Sequence, residues 1–402
     1  MEEKLKYIDL FAGCGGLSLG LHNSGWKGLF AVEKSPFAFK TLEFNLIDKK
    51  KHFEWVDWLS KKEHDINEVI AKHESELKAL RGKITLVAGG PPCQGFSMAG
   101  RRQEDDSRNN LVNSYLDFVK LVEPKVILFE NVRGFTMAFK KDNPDAIPYS
   151  DIVVEKLKAL NYDVKEKVID FSEYGVPQRR NRFIMIGIQK NLGIKAELFF
   201  DLLPLIKTKL WEKIGIENTP SVKETISDLL ESHGKTISPD TPSFNAGLLG
   251  ASNSTFQKHL RNGSAVEGIV ADSHRFTKHT KNIENIFKQL LKEAPRNKRI
   301  DGKEREKYKL QKRGITVMSQ DEVSPTLTTH PDDYVHYCEP RILTVREYAR
   351  IQTFPDWFEF KGKYTTGGKL RKVEVPRYTQ IGNAIPPLFG ELAGMVLKQM
   401  LK

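Results

Sequence analysis

Short apolar runs alternate with helix-patterned segments through the first ~190 residues, and this alternation constrains the fold more than any other feature of the chain. LKYIDLFAG (5–13) reads as a strand that runs into a glycine-rich turn, and GGLSLGLHNSG (15–25) as a short helix closed by Gly25. GLFAVE (28–33) is a second strand ending on Glu33, and PFAFKTLEFN (36–45) is a helix with proline at its start. ITLVAGG (84–90) and VILFEN (126–131) are further strands, and residues 162–188 read as two strands joined by a turn at Gly175-Val176-Pro177. Such a succession predicts an α/β fold with a doubly wound sheet. Sheets of that kind hold ligands beyond the carboxyl ends of their strands, so the loops after those strands are where chemistry is expected.

Two of those loops carry unusual residues. DLFAGCGGLSLG (9–20) places a strand, a glycine-rich turn and a helix start in series. Amides exposed by such a turn suit the polar end of a nucleoside, and Glu33, 17 residues beyond Gly16, is near the ~20-residue offset at which an acid meets ribose hydroxyls. The turn lacks the G-x-G-x-x-G spacing, which favours an adenosine-bearing cofactor over a dinucleotide. GGPPCQGFS (89–97) sets Cys93 on a stiff turn, because Pro91 and Pro92 fix their φ angles. Cys93 is then either a small buried apolar residue or a nucleophile. A thiol of pKa near ~8.5 needs an electropositive setting to act as a thiolate. QRRNR (178–182) can provide that setting, and Glu130 at the end of its strand is an acid–base partner.

A chain of 402 residues predicts two domains, with 39% hydrophobic residues to form their cores. Its three widely spaced cysteines argue against a disulfide framework or a zinc cluster and for a reducing compartment. No stretch approaches the ~20 apolar residues of a membrane span and the start carries no apolar signal region, so a soluble, cytoplasmic protein without metal is expected. The net charge is +11, and 16 Lys/Arg against 7 Asp/Glu between Lys258 and Arg313 place +9 in one segment. That segment is either a phosphate-tracking surface or a solvated face of mixed charge. Residues 231–275, rich in Gly, Ser, Asn and Pro, read as loop-dominated. Order returns with RILTVREYARIQTFPD (341–356), where Thr344 and Glu347 have capping-box spacing and Pro355 marks the helix end.

Taken in order, DLFAGCGG, GGPPCQGFS, FENV, QRRNR, TVREYARIQTFPD and QIGNAIPP (380–387) resemble the motifs of the DNA (cytosine-5)-methyltransferases, of the bacterial modification type. The resemblance implies a Rossmann-like S-adenosylmethionine-dependent catalytic domain, 1–190 with 376–402, and a smaller loop-rich target-recognition domain, 191–375. It implies Cys93 as the nucleophile, Glu130 on the N3 edge of cytosine, Arg182 on its O2 and Arg180 in support. The cofactor is then S-adenosylmethionine, leaving as S-adenosylhomocysteine. Phe11, Ala12, Gly13, Gly15, Gly16 and Leu17 line its pocket, with Glu33 on the ribose, Lys34 beside it, Asp57 and Trp58 toward the adenine, Pro91 near the sulfonium and Asn383 returning from the C-terminus. VDW (56–58) departs from the family in lacking the glycine usual before that aspartate.

The implied partner is duplex DNA, from which the target base is flipped. RRQEDDSRNN (101–110) reads as a loop that closes over it. The expected DNA-contacting residues are Gln94, Ser97, Arg101 and Arg102, with Lys298, Arg299, Lys303 and Arg305 from the basic segment. A monomer is expected, and a cognate restriction endonuclease acting on the same site is an implied partner. An RNA methyltransferase on the same catalytic domain, a DNA-binding module without activity and a nicotinamide dehydrogenase are the competing classes. Intact Cys93, Glu130 and Arg182 speak against the second, and the irregular glycine spacing against the third.

Overall fold

A computed structural model describes residues 5–92, 110–138, 147–310, 314–367, 370 and 373–402. The chain forms two compact units. The first comprises Met1–Phe171, Asn181–Thr208 and Phe389–Lys402, and the second Ser172–Arg180 and Lys209–Leu388. The sequence placed the boundaries at 190/191 and 375/376. They fall later because the helix Glu197–Ile214 carries the chain across at Thr208, and because the helix Arg377–Asn383 packs within the second unit through Gln352 Nε2, which donates to Ile381 O at 2.8 Å.

Six strands build the sheet of the first unit: β1 (Lys6–Leu10), β2 (Lys27–Val32), β3 (Leu86–Gly89), β4 (Val126–Val132), β5 (Tyr162–Asp170) and β6 (Asn181–Gln189). Their order is β2-β1-β3-β4-β6-β5. The first four are parallel, and β6 runs antiparallel to both β4 and β5. Strands β1, β3 and β4 are buried along most of their length and are rich in apolar residues, as central strands of such a sheet are. Chain order reverses between β1 and β3, where Leu10 lies opposite Gly89. The glycine-rich turn and the GGPP segment therefore leave neighbouring strands at the switch point of the sheet. Since β6 is antiparallel, its first residues stand at the edge where the parallel strands end, and Arg182 pairs in register with Val132.

In the second unit, β7 (Lys235–Ile237), β8 (Asn245–Leu248) and β9 (Val270–Arg275) form an antiparallel sheet in the region expected to be loop. Strands this short leave no room for visible alternation, and all of β7 is exposed. A further sheet joins β10 (Arg299–Asp301), β11 (Gly314–Val317) and β12 (Tyr334–Val335). The helix Val345–Ile351 has the expected capping box: Glu347 N donates to Thr344 Oγ1 at 3.2 Å and Thr344 N to Glu347 Oε2 at 2.7 Å. Its charged residues face inward. Arg346, Glu347 and Arg350 are fully buried, Arg350 pairing with Asp228 and Asp356, Arg346 with Asp272, and Glu347 with Arg341.

Candidate active site

Backbone geometry makes the turn after β1. Phe11 and Gly13 take positive φ of 58° and 57°, and Gly15 at 91° caps the helix Gly16–Asn23. Glycine is favoured there by its φ of 91°, which L side chains rarely adopt, and a Cβ would also stand 2.9 Å from Leu46 Cδ1. A Cβ on Gly13 would meet nothing within 4 Å among the described residues, so the turn is open at that point. Gly16 and Leu17 are buried, and Ala12 is part-buried, its amide donating to Val32 O at 3.1 Å.

Glu33, at the end of β2, closes on this turn. Its Oε2 accepts from Gly13 N at 2.9 Å and its Oε1 from Ser35 N at 2.7 Å. Burial raises its pKa, against the lowering effect of these amides. Each carboxylate oxygen keeps a lone pair for a ligand hydroxyl. Lys34 is exposed and paired with Asp65 at 2.8 Å. Asp57 is exposed, and beside it Trp58 lies edge-on to Phe30, centroids 5.4 Å apart, against the core.

Under the turn lies a buried polar network that the sequence reading missed. Ser18 Oγ donates to Asp9 Oδ2 at 2.5 Å, and Tyr7 Oη meets His52 Nε2 at 2.7 Å. Burial pushes Asp9 up to about 7, with Ser18 opposing the shift and the charge of Glu33 adding to it, and it takes His52 down to about 3. Only the letter D inside an apolar strand signalled that network.

The second loop meets β4 and β6. Arg182 Nε lies 2.8 Å from Glu130 Oε1, each side chain 13% exposed. Burial lowers the pKa of Arg182, and the charge of Glu130 opposes it. The Glu130 carboxylate sits directly over the backbone of Gly90, where a Cβ would be 2.7 Å from Oε2. Asn131 adds a tie that its place in FENV did not reveal: its Nδ2 donates to Pro91 O at 3.2 Å. An acid, a guanidinium and the backbone leading to Cys93 thus come together at one edge of the sheet. Cys93, Gln94, Ser97, Arg101 and Arg102 lie outside the described residues.

Arg180 behaves differently from the expectation that it supports Arg182. It is buried in the second unit, where its Nη2 donates to Gly382 O at 2.8 Å and Ala384 O at 3.3 Å. Its bonds hold QIGNAIPP, because the strand begins at Asn181 and leaves Arg180 before it. Asn383 is exposed at the end of its helix. Lys298, Arg299 and Lys303 are exposed and Arg305 part-buried, with Arg299 Nε 3.6 Å from Asp301. Among the described residues no group of three or more His, Cys, Asp or Glu is placed to hold a metal ion, and no helix is long and apolar enough to cross a membrane.

Comparison with known proteins follows the same lines. The family model described as C-5 cytosine-specific DNA methylase matches residues 5–400. The type II methyltransferase M.DdeI of Desulfomicrobium norvegicum is 30% identical over 96% of this chain and 87% of its own length. M.XorII of Xanthomonas oryzae pv. oryzae is 31% identical over 98% and 85%. A solved prophage-encoded E. coli protein, assigned as a DNA modification methyltransferase, covers 99% of both chains with a TM-score of 0.67 at 24% identity. The S. pombe Dnmt2 methyltransferase covers 99% of this chain and 98% of its own with a TM-score of 0.56 at 16% identity, and both structures share this fold.

Proposed function

The chain belongs to the C-5 cytosine-specific DNA methylase family, and on that premise we propose that it methylates a cytosine flipped out of a specific duplex sequence, through a covalent bond to Cys93, in the type II modification role that its relatives' names carry. The supporting observation is the Glu130–Arg182 pair at 2.8 Å, set over Gly90 and three residues from Cys93.

Cytosine C5 is too weak a nucleophile to take a methyl group unaided. The Cys93 thiolate forms a bond to C6, and the electron pair displaced from the C5–C6 double bond makes C5 nucleophilic. Glu130 on the N3 edge and Arg182 on O2 hold the base and stabilise the charge that this addition pushes into the ring. After C5 has gained the methyl group it loses its proton, and the Cys93–C6 bond breaks to restore the thiolate. Bound S-adenosylmethionine supplies an electrophilic methyl group on sulfur. The open turn at Gly13 and the amide-held carboxylate of Glu33 fit its nucleoside end. Duplex DNA is the proposed substrate, and a cognate endonuclease reading the same site the proposed companion.

Incubation with labelled S-adenosylmethionine and duplex DNA, RNA or no nucleic acid tests this. Label is expected in 5-methylcytosine of duplex only. Cys93→Ser should abolish it, and duplex carrying 5-fluorocytosine should give a denaturation-resistant adduct, because C5 then has no proton to lose. Label in RNA alone, or turnover by the serine variant, overturns the proposal.

A further inference from the structure

Arg275, the last residue of β9, is a cation whose neighbours leave it without an acid. Its guanidinium carbon lies 4.0 Å from the centroid of the Phe244 ring and 3.6 Å from that of Tyr364. Nε is buried and has no hydrogen-bond partner among the described residues. The two terminal nitrogens make no hydrogen bond there either, and they are not among the buried unpartnered atoms, so they reach solvent. The acid in its vicinity, Asp240, is already engaged: Arg377 Nη1 donates to it at 2.7 Å, Tyr364 Oη at 3.0 Å and Ser238 Oγ at 3.0 Å.

Holding a guanidinium partly out of water without a carboxylate is unfavourable, and ring faces recover only part of the loss. Elsewhere in this unit the buried guanidinium groups find partners, Arg346, Arg350 and Arg341 in acids and Arg180 in backbone carbonyls. Arg275 is therefore poorly explained as a stabilising residue. The rings fix the plane of its fork, and Tyr364 is itself fixed through Asp240. A planar donor pair held in one orientation suits an acceptor pair with one orientation. In duplex DNA that is the O6/N7 edge of guanine in the major groove. Phosphate offers acceptors all round and is served by flexible exposed cations such as Lys298 and Lys303.

We propose that Arg275, held against Phe244 and Tyr364, reads a guanine of the recognition sequence. The inference rests on the methyltransferase function proposed above and names the residue that selects its substrate.

The test uses the full chain, Arg275→Met and Arg275→Lys on a pool of duplexes with randomised sequence, methylated positions being read by bisulfite sequencing. Unaltered protein should require guanine at one position of its site. Both variants should lose discrimination at that position by roughly 10- to 100-fold, the loss of one bidentate base contact. Their binding to unrelated duplex and its salt dependence should stay unchanged. Arg275→Met should unfold no earlier than the unaltered protein, a result that a structural arginine would not give. A uniform loss at all sequences with a shallower salt slope would make Arg275 a phosphate contact and overturn the proposal, as would full discrimination in both folded variants. If the unaltered protein methylates no duplex, the function itself fails and the assignment falls with it.

Discussion

Gly90 offers the sharpest test of how the site is built. Its φ is not among the positive values, so no left-handed backbone stands against alanine, and the substitution adds only one methyl group. That methyl would stand 2.7 Å from Glu130 Oε2, where ordinary contact begins near 3.4 Å. The carboxylate must therefore withdraw by about 0.7 Å, and its other oxygen is bonded to Arg182 at 2.8 Å. A shift of that size along the bond takes it to about 3.5 Å, past the range of a hydrogen bond. Misplacement of a substrate-positioning group by ~1 Å costs on the order of 100-fold in rate. Gly90→Ala should accordingly lower kcat by about 30- to 100-fold. Its stability cost should stay within about 1–3 kcal/mol, the usual penalty for one extra methyl in a packed site. The assay is methyl transfer to duplex at saturating S-adenosylmethionine, with calorimetry for cofactor affinity and a melting curve for the fold. Wild-type kcat in the folded variant would refute the reasoning, because the position of the Glu130 carboxylate would then not matter. Weakened cofactor binding at unchanged kcat would refute it too, by moving the role of this loop to the other ligand.

Arg180→Met should lower stability by about 1.5–3 kcal/mol, the range for hydrogen bonds to a charged group, and change kcat per folded molecule less than Arg182→Lys does; melting curves beside single-turnover rates separate the two arginines. Asp9 holds its proton up to about pH 7 in the fold, whereas its ordinary value is 3.8. Stability should therefore fall by about 1.4 kcal/mol per unit as pH rises between these values and not change further above them, and Asp9→Asn should remove this slope in melting temperatures taken from pH 4 to 8. Neutralising Lys298, Arg299, Lys303 and Arg305 together should weaken binding to all duplexes alike and flatten the salt slope by up to ~3–4 if each meets a phosphate. Filter binding at several salt concentrations reads this, and an altered site preference would show that these residues contact bases.

Much of the first unit is legible because its central strands are buried and so appear as short, mostly apolar runs. The turn after β1 declares itself through glycines that its positive φ angles require, and Glu33 through its distance from that turn. The capping box at Thr344 is legible for the same local reason: two side chains answer two amides three residues apart. What local chemistry does not carry is direction and depth. In R-N-R nothing marks Asn181 as the start of an antiparallel strand, yet that start sends Arg182 to Glu130 and leaves Arg180 with Gly382 and Ala384. Nothing local in VREYAR marks its charged residues for burial: Asp356 lies just past the helix, but Asp228 and Asp272, which complete the pairing of Arg350 and Arg346, come from remote segments. Asn131 stood in a quoted motif without a task, because its acceptor, Pro91 O, lies 40 residues away in the chain.

The sheet order also sets a timetable for synthesis. Strands β1 to β4 are complete once residue 132 has been made, but β6, which carries Arg182, ends only at Gln189. At roughly 5–20 residues per second the ribosome adds the intervening 57 residues in about 3–11 seconds. Through that interval Glu130 has no guanidinium beside it, and the edge of β4 that β6 will cover is unpaired. A nascent chain thus holds the strand that ends in GGPP well before it holds the pair that would grip a base, and its first unit is finished only once Phe389–Lys402 has been made.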